Sequence, residues 1–231
     1  MFPDDFPIST RWPAKDPSVI QLYSFPTPNG VKASIMLEET GLPYEPHLVT
    51  LADKDVKSPE FLSLNPNNKI PAIVDPNGPD GKPLGLFESG AILIYLAEKS
   101  GKFLGSTVSD RARIIQWVMF QMGGVGPMLG QLGFFYKFAG ADIEDPRPKE
   151  RYINETKRLL GVLEGQMEGR DWIADDFSIA DIALVPWIKA LDFYGAKEVV
   201  GWDDHKNLIA WVDRFNARPA VEKGSNIPPR P

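Results

Sequence analysis

The stretch "KIPAIVDPNGPDGKPLGLFESGAI", residues 69–92, decides the fold of this chain. It holds two short apolar runs, at residues 69–75 and 83–87, and the Pro, Gly and Asn between them favour a hairpin of two strands. The segment "ESGAI" then begins a helix that we expect from Ser89 to Lys99. The stretch therefore predicts a β-β-α unit.

A β-α-β unit precedes this stretch. Residues 19–24 form an apolar run typical of a strand, and residues 30–40 have a helical pattern that Gly41 closes. A second strand is expected at residues 44–50, where apolar and polar residues alternate. The first hundred residues thus read as β-α-β followed by β-β-α.

Long helices follow beyond Gly105, with apolar residues at helical spacing. The fold class is therefore α/β plus all-α. We expect the loop at 101–108 to separate the two domains. The expected divisions are an N-terminal arm at 1–17, a mixed domain at 18–101, an all-helical domain at 107–222 and a C-terminal tail at 223–231.

Composition narrows the classes of function. The 231 residues are 43% hydrophobic and 24% charged, with a net charge of -6 and no basic block, which argues against binding to nucleic acid or to a membrane surface. No segment approaches the ~18 consecutive apolar residues of a membrane-spanning helix, and the first residues lack the apolar core of a signal peptide. We expect a cytoplasmic protein.

The chain has no cysteine and only two histidines, His47 and His205. Disulfides and a protein thiol nucleophile are excluded, and zinc sites or Ser-His-Asp triads are poorly supported. We expect no metal. Any sulfur chemistry must use the sulfur of a bound molecule.

The segment "PTPNG", residues 26–30, joins the first strand to the first helix. The Thr27 hydroxyl, the Asn29 amide and backbone N–H groups converge there near a helix N-terminus, which is an environment that stabilises a thiolate. A plain turn is the alternative, because proline and Asn-Gly are strong turn formers.

Two further groups of residues have the chemistry of a binding site. Glu88 and Ser89 open a helix and offer a negative charge and a hydroxyl donor, which together complement the ammonium and carboxylate of an α-amino acid. Ser89 as an ordinary helix cap is the alternative. Ile70-Pro71 offers an edge at which an extended peptide could dock, and Lys69 is a cation for a ligand carboxylate unless it is simply a solvated lysine.

Two further patterns lie in the helical part of the chain. Ser178 and Asp181 in "FSIADIAL" have the spacing of a capping box, so we assign them to folding. The Gly-rich "MGGVGPMLGQLGFFYKF" admits close helix approach and is a candidate for an acceptor pocket or a dimer interface.

Taken together, the element order, the Ile70-Pro71 step and the "ESGAI" helix start resemble the glutathione transferase family, whose thioredoxin-like domain comes first. The resemblance covers nearly the whole chain. "SIADI" is common to many classes and supports only the superfamily. Four segments look like the bacterial Nu class of disulfide-reductase type and its fungal relatives, among them the yeast nitrogen-regulating prion protein: "PTPNG", "NPNNKIPAIVD", "LFESGAILIYLAEK" and "GGVGPMLGQ".

The resemblance implies roles for these residues. Glu88 and Ser89 would hold the γ-glutamyl end of glutathione, and a cis Ile70-Pro71 bond would present the docking edge. Thr27 and Asn29 would hold the glutathione sulfur. Tyr23 and Ser24 are rival activators, because many transferases use a Tyr or Ser near the end of this strand.

Two contacts implied by the resemblance are less direct. Arg151 would reach glutathione bound to the other subunit of a homodimer, with an ion pair to Glu155 as the alternative. Relatives can carry a glutathione-binding Gln before "SPEFL", where this chain has "DKDVK". Lys57 or Lys54 would replace that glutamine at the glycine end of glutathione.

The resemblance implies a glutathione-dependent disulfide-bond oxidoreductase that uses one or two glutathione molecules, or glutathione disulfide, per site. Its substrates would be small disulfides, with organic hydroperoxides and electrophiles as further substrates. The alternatives are a conventional transferase that conjugates electrophiles and a non-enzymatic binding or regulatory protein. The prion-type relative depends on a long low-complexity arm, and the short segment before the first strand here is not Asn/Gln-rich.

Overall fold

The computed structural model describes residues 6–230, which form two compact units. The first unit comprises residues 6–101 and 219–230, and the second comprises residues 102–218. The boundary after Gly101 lies at the start of the predicted 101–108 loop. The α/β plus all-α fold class is confirmed.

A four-stranded mixed sheet with the order β2-β1-β3-β4 forms the centre of the first unit. β1 runs parallel to β2 and antiparallel to β3, with Leu22 opposite Pro46 on one side and Ile73 on the other. β3 and β4 form the predicted antiparallel hairpin. The strands are β1 (Ile20–Ser24), β2 (Tyr44–Leu48), β3 (Ala72–Asp75) and β4 (Leu84–Phe87).

Helices cover this sheet because their apolar faces require burial. The chain order gives α1 (Ile8–Arg11), α2 (Gly30–Thr40), α3 (Asp53–Val56), α4 (Pro59–Leu64) and α5 (Ser89–Ser100). α2 and α5 pack against each other, and both end at a glycine with positive φ, Gly41 and Gly101. The strand–helix order predicted from the sequence is confirmed.

The second unit is helical. It contains α6 (Val108–Phe120), a π-helical turn (Gln121–Val125), α7 (Gly126–Tyr136), α8 (Pro146–Gln166), α9 (Ile179–Tyr194), α10 (Lys197–Val200) and α11 (Lys206–Asn216). Ser178 and Asp181 form the predicted capping box at the start of α9. Asp181 also accepts a hydrogen bond from the Trp211 indole, which ties α11 to this helix start.

The Gly-rich stretch packs closely against α9. A Cβ at Gly133 would lie 2.5 Å from the Tyr194 ring, and a Cβ at Gly126 would lie 3.2 Å from the Trp187 indole nitrogen. The expected close approach is therefore confirmed. Its role in an acceptor pocket or dimer interface stays a prediction.

The described parts of the expected arms, residues 6–17 and 223–230, belong to the first unit, whereas residues 1–5 and 231 of these arms lie outside the described residues. Ile8 is fully buried in the first unit's core, and Trp12 packs edge-on against Tyr23. At the other end, α12 (Pro219–Gly224) packs on α2, where the Ser34 hydroxyl donates to the Gly224 carbonyl over 2.7 Å. The predicted helical domain at 107–222 is therefore too long by residues 219–222, because Gly224 permits close contact of this helix with the α2 backbone at Ile35.

Within residues 6–230, the helices are all too short or too polar to cross a membrane.

Candidate active site

The "PTPNG" segment forms the turn that leads into α2, with Asn29 at the N-cap and Gly30 as the first helical residue. The Val31 N–H donates to the Thr27 carbonyl over 3.0 Å, and the Gly30 N–H donates to the Thr27 hydroxyl oxygen over 3.1 Å. That hydroxyl accepts this bond and keeps its own hydrogen for donation. A Cβ at residue 30 would lie 1.8 Å from the Phe25 carbonyl oxygen, so only glycine allows this tight junction.

A cavity of about 460 Å³ opens beside this turn in the first unit. Its walls come from the α2 turn, from α3 with the loop before it, and from the segment that precedes β3. The lining residues are Thr27, Asn29, Leu51, Asp53, Val56, Lys57, Asn68, Lys69 and Ile70. The structure thus brings together five residues that the sequence analysis singled out separately.

The edge before β3 has the expected conformation. The Ile70-Pro71 bond is cis, and Ile70 and Pro71 are buried while the Lys69 side chain is exposed. The Asn65 amide donates to the Lys69 carbonyl, which holds this segment in place. Lys69 therefore presents a positive charge at the rim of the cavity.

Glu88 and Ser89 lie at the start of α5. Glu88 is exposed, adopts φ of 72° and occupies the N-cap position, whereas Ser89 is the first helical residue and is buried. The alternative interpretation of Ser89 as an ordinary helix cap is therefore excluded, because Glu88 occupies that position. Neither residue lines the cavity. A third side chain links Ser89 to Asn29, which does line it.

That side chain is Lys32, which the sequence analysis did not identify. It is fully buried in α2, and its Nζ donates to Asn29 Oδ1 over 2.8 Å and to Ser89 Oγ over 3.2 Å. Burial lowers the Lys32 pKa to about 7, and the nearby Glu88 carboxylate partly opposes this shift. Lys32 thus connects the α2 turn to the start of α5.

The rival activators lie in the core. Tyr23 and Ser24 are both fully buried, and the Tyr23 hydroxyl has no hydrogen-bond partner among residues 6–230. The Tyr23 ring stacks on His47 at 4.8 Å, and burial raises the pKa of its hydroxyl far above the usual value. A phenol in this environment resists ionisation, so the geometry favours Thr27 and Asn29 as donors to a ligand in the cavity.

Two family sequence models match this chain. The model described as "Glutathione S-transferase, N-terminal domain" matches residues 18–98, and "Glutathione S-transferase, C-terminal domain" matches residues 130–219. The chain is also 45% identical over 205 residues to "Disulfide-bond oxidoreductase YfcG" of Escherichia coli, covering 88% of this chain and 93% of that protein. The chain belongs to the glutathione S-transferase family.

Solved structures agree with this assignment. A glutathione transferase from Burkholderia graminis, with two glutathione molecules bound per subunit, is 63% identical, with a TM-score of 0.96 over 98% of this chain and 95% of that one. One from Pseudomonas putida, with one glutathione disulfide bound per subunit, is 58% identical, with a TM-score of 0.95 over 96% of this chain and 97% of that one.

The remaining candidate cations of this glutathione transferase differ in placement. Lys57 lines the cavity and pairs with Asp53 over 2.8 Å, whereas Lys54 is an exposed residue of α3. Arg151 is exposed on α8 in the second unit, and the ion pair of Glu155 is with Arg158, over 2.7 Å. The proposed use of Arg151 across a dimer stays a prediction.

Within residues 6–230, no cluster of three or more His, Cys, Asp or Glu side chains is placed to bind a metal ion.

Proposed function

We propose that this protein is a homodimeric glutathione transferase of the Nu class that reduces small disulfides with glutathione in the cytoplasm. The observation that carries the proposal is the cavity at the start of α2, where Thr27 and Asn29 meet Lys69 and Ile70. Because the chain has no cysteine, the reacting thiols come from glutathione.

Two glutathione molecules supply one thiol each, and these are oxidised to glutathione disulfide as the substrate disulfide is reduced to two thiols. The Thr27 hydroxyl and the Asn29 amide donate hydrogen bonds to the attacking sulfur and favour its thiolate form. The partial positive charge at the N-terminus of α2 acts in the same direction. These residues therefore orient and activate a thiol that the chain itself lacks.

The rest of glutathione is held by residues around the cavity. The Ile70 backbone pairs with the peptide, and Lys69 and Lys57 attract its glycine carboxylate. Glu88 and Ser89 bind the ammonium and carboxylate of the γ-glutamyl end. Arg151 contacts glutathione bound to the other subunit. Thus each polar group of the tripeptide has a partner of opposite charge or hydrogen-bonding character.

The bound states of similar structures support disulfide exchange. The Burkholderia graminis transferase holds two glutathione molecules per subunit, and the Pseudomonas putida transferase holds one glutathione disulfide. YfcG is named as a disulfide-bond oxidoreductase. A site of this kind places two sulfurs together, as thiol–disulfide exchange requires. Organic hydroperoxides and electrophiles are the further substrates that we propose.

An assay with purified protein and glutathione tests the proposal. Hydroxyethyl disulfide, cumene hydroperoxide and chloro-dinitrobenzene are offered in parallel, and we expect the highest kcat/KM for the disulfide. Conjugation alone would favour a conventional transferase, and binding without turnover would favour a regulatory protein.

Variants of the site extend this test. The Thr27→Ala, Asn29→Ala double variant should lose roughly a hundredfold or more in kcat with a smaller change in glutathione affinity. Tyr23→Phe and Ser24→Ala are the controls and should retain turnover. Calorimetry with Glu88→Gln should show weaker glutathione binding, whereas Glu60→Gln should bind normally. Loss of activity in Tyr23→Phe, with normal rates in the double variant, would contradict the assignment.

A further inference from the structure

We propose that Lys32 is a positioning residue that fixes the Asn29 amide and the Ser89 hydroxyl for glutathione and places a buried positive charge behind the reacting sulfur. The proposal rests on the function proposed above. It adds to that function a side chain that connects the thiol end of the site to its γ-glutamyl end.

The geometry of Lys32 determines the orientation of Asn29. An ammonium group only donates hydrogen bonds, so the atom of Asn29 that faces Lys32 Nζ at 2.8 Å must be the amide oxygen. The amide NH2 of Asn29 is therefore turned away from Lys32. Since Asn29 lines the cavity, this orientation makes the residue a donor to a sulfur bound there.

The same argument applies at the start of α5. Ser89 Oγ accepts from Lys32 Nζ over 3.2 Å, so the hydroxyl hydrogen of Ser89 must point away from the ammonium. A hydroxyl held in this way donates to a carboxylate. Lys32 thus orients the Asn29 amide and the Ser89 hydroxyl, 60 positions apart in the chain, so that both can donate a hydrogen bond to a ligand.

Burial increases the electrostatic effect of Lys32. The side chain is 0% exposed between α2 and α5, where charges are screened less than at a surface. Glu88 is the neighbouring opposite charge, and its attraction favours the protonated lysine. Bringing a thiolate to Asn29 adds a second negative partner. Lys32 and the thiolate should therefore stabilise each other's charged forms.

Lys32→Met tests this role because methionine has a similar length and no charge. The ultraviolet absorbance of the thiolate, followed against pH with bound glutathione, reports the thiol pKa directly. We expect that pKa to rise by about one unit and kcat for the disulfide to fall roughly tenfold or more. Asp53, Lys57 and Lys69, the charged residues that line the cavity, are unchanged in this variant.

Lys189→Met is the matched control. Lys189 Nζ also donates to an asparagine, Asn216 Oδ1, over 2.7 Å, but in the second unit. We expect this variant to have the wild-type thiol pKa and turnover. Thermal unfolding of both variants reports whether each is folded.

Lys32→Gln is the second variant, and it tests the role of Lys32 if Lys32→Met does not fold. It retains a donor but no charge, so kcat should recover in part while the thiol pKa stays raised. A folded Lys32 variant with the wild-type thiol pKa would overturn the proposal. Because the titration needs only bound glutathione, it remains decisive if the wild-type protein proves inactive towards disulfides, an outcome that overturns the proposed function alone.

Discussion

Tyr23 illustrates how burial determines what a polar side chain can do. Its hydroxyl lies in the core of the first unit without a hydrogen-bond partner among residues 6–230. Burial of such a hydroxyl costs desolvation free energy, and no hydrogen bond in the folded protein offsets that cost. We therefore expect this hydroxyl to contribute to neither stability nor thiol activation.

Replacing Tyr23 with Phe should consequently be harmless. We expect Tyr23→Phe to leave the free energy of unfolding unchanged or to raise it by up to about 1 kcal/mol. Tyr95→Phe is the control, because the Tyr95 hydroxyl donates to buried Asp75 over 2.6 Å, and its loss should cost about 1–3 kcal/mol. Urea unfolding of both variants measures the difference. Equal destabilisation by the two substitutions would contradict the prediction.

A candidate site residue could be predicted from the sequence where its neighbours in the chain indicate its position in the fold. The sequence indicates Thr27 and Asn29 as candidates because turn residues precede a helix and because the segment resembles the family, and it indicates Ile70 because this residue stands before proline. Lys32 could not be found, because a lysine in an amphipathic helix is expected at the surface. The packing of α5 on α2, which brings Ser89 to Lys32 Nζ, joins residues that are far apart in the sequence. The one available signal was its place between Val31 and Ala33 in an apolar run.

At the scale of elements, local signals predicted strands and helices well because caps and turns act over a few residues. Asp181 shows this: it completes the capping box at α9, and it also accepts from the Ile173 N–H and the Trp211 indole. Burial raises its pKa to about 6. The Asp181 carboxyl therefore binds its proton more tightly in the folded state than in the unfolded state. This difference stabilises the folded state at low pH, and the stabilisation is lost as pH rises through about 6.

The junction of β1 and α2 depends on Gly30. A Cβ there would meet the Phe25 carbonyl oxygen at 1.8 Å, so Gly30→Ala must displace the helix start. We expect a loss of roughly 2–4 kcal/mol in the free energy of unfolding, together with reduced disulfide turnover, because Thr27 and Asn29 move with the turn.

Gly161→Ala provides the matched control. In the described part of the chain, a Cβ at Gly161 meets no neighbouring atom within 4 Å, and the residue lies inside α8. Alanine there should raise the free energy of unfolding by roughly 0.5–1 kcal/mol without changing turnover. Calorimetric unfolding and the disulfide assay are applied to both. Wild-type turnover in Gly30→Ala would show that the junction does not position the donors.

At the scale of the whole molecule, the chain contributes its C-terminal segment to the first unit. α12 lies against α2, and the Arg230 guanidinium donates to the Pro26 carbonyl over 3.2 Å. Helical periodicity correctly indicated the helices of the second unit, but it could not show that α12 packs elsewhere. That packing includes a hydrogen bond between residues 190 positions apart, in which the Ser34 hydroxyl donates to the Gly224 carbonyl.

Ending the chain at Arg218 should therefore damage a site that the removed residues do not line. α12 covers the face of α2 that carries Ser34 and Ile35, and its Val221 side chain is buried. Without α12, this face of α2 becomes exposed to solvent. We expect the free energy of unfolding to fall by roughly 2–5 kcal/mol and glutathione affinity to weaken, because α2 carries Asn29 and Lys32.

Point variants separate this packing effect from the loss of chain length. Gly224→Ala places a Cβ 2.6 Å from the Ile35 Cα and should reproduce much of the destabilisation and of the weaker binding. Lys223→Ala removes an ion pair in which the lysine is exposed, and Glu38 keeps its hydrogen bond from the Tyr44 hydroxyl, so the free energy of unfolding should change by less than about 1 kcal/mol. Thermal unfolding and glutathione calorimetry compare the three proteins with the wild type. Wild-type affinity in both the shortened chain and Gly224→Ala would mean that α2 holds its conformation without α12, and that the site depends only on the residues around its cavity.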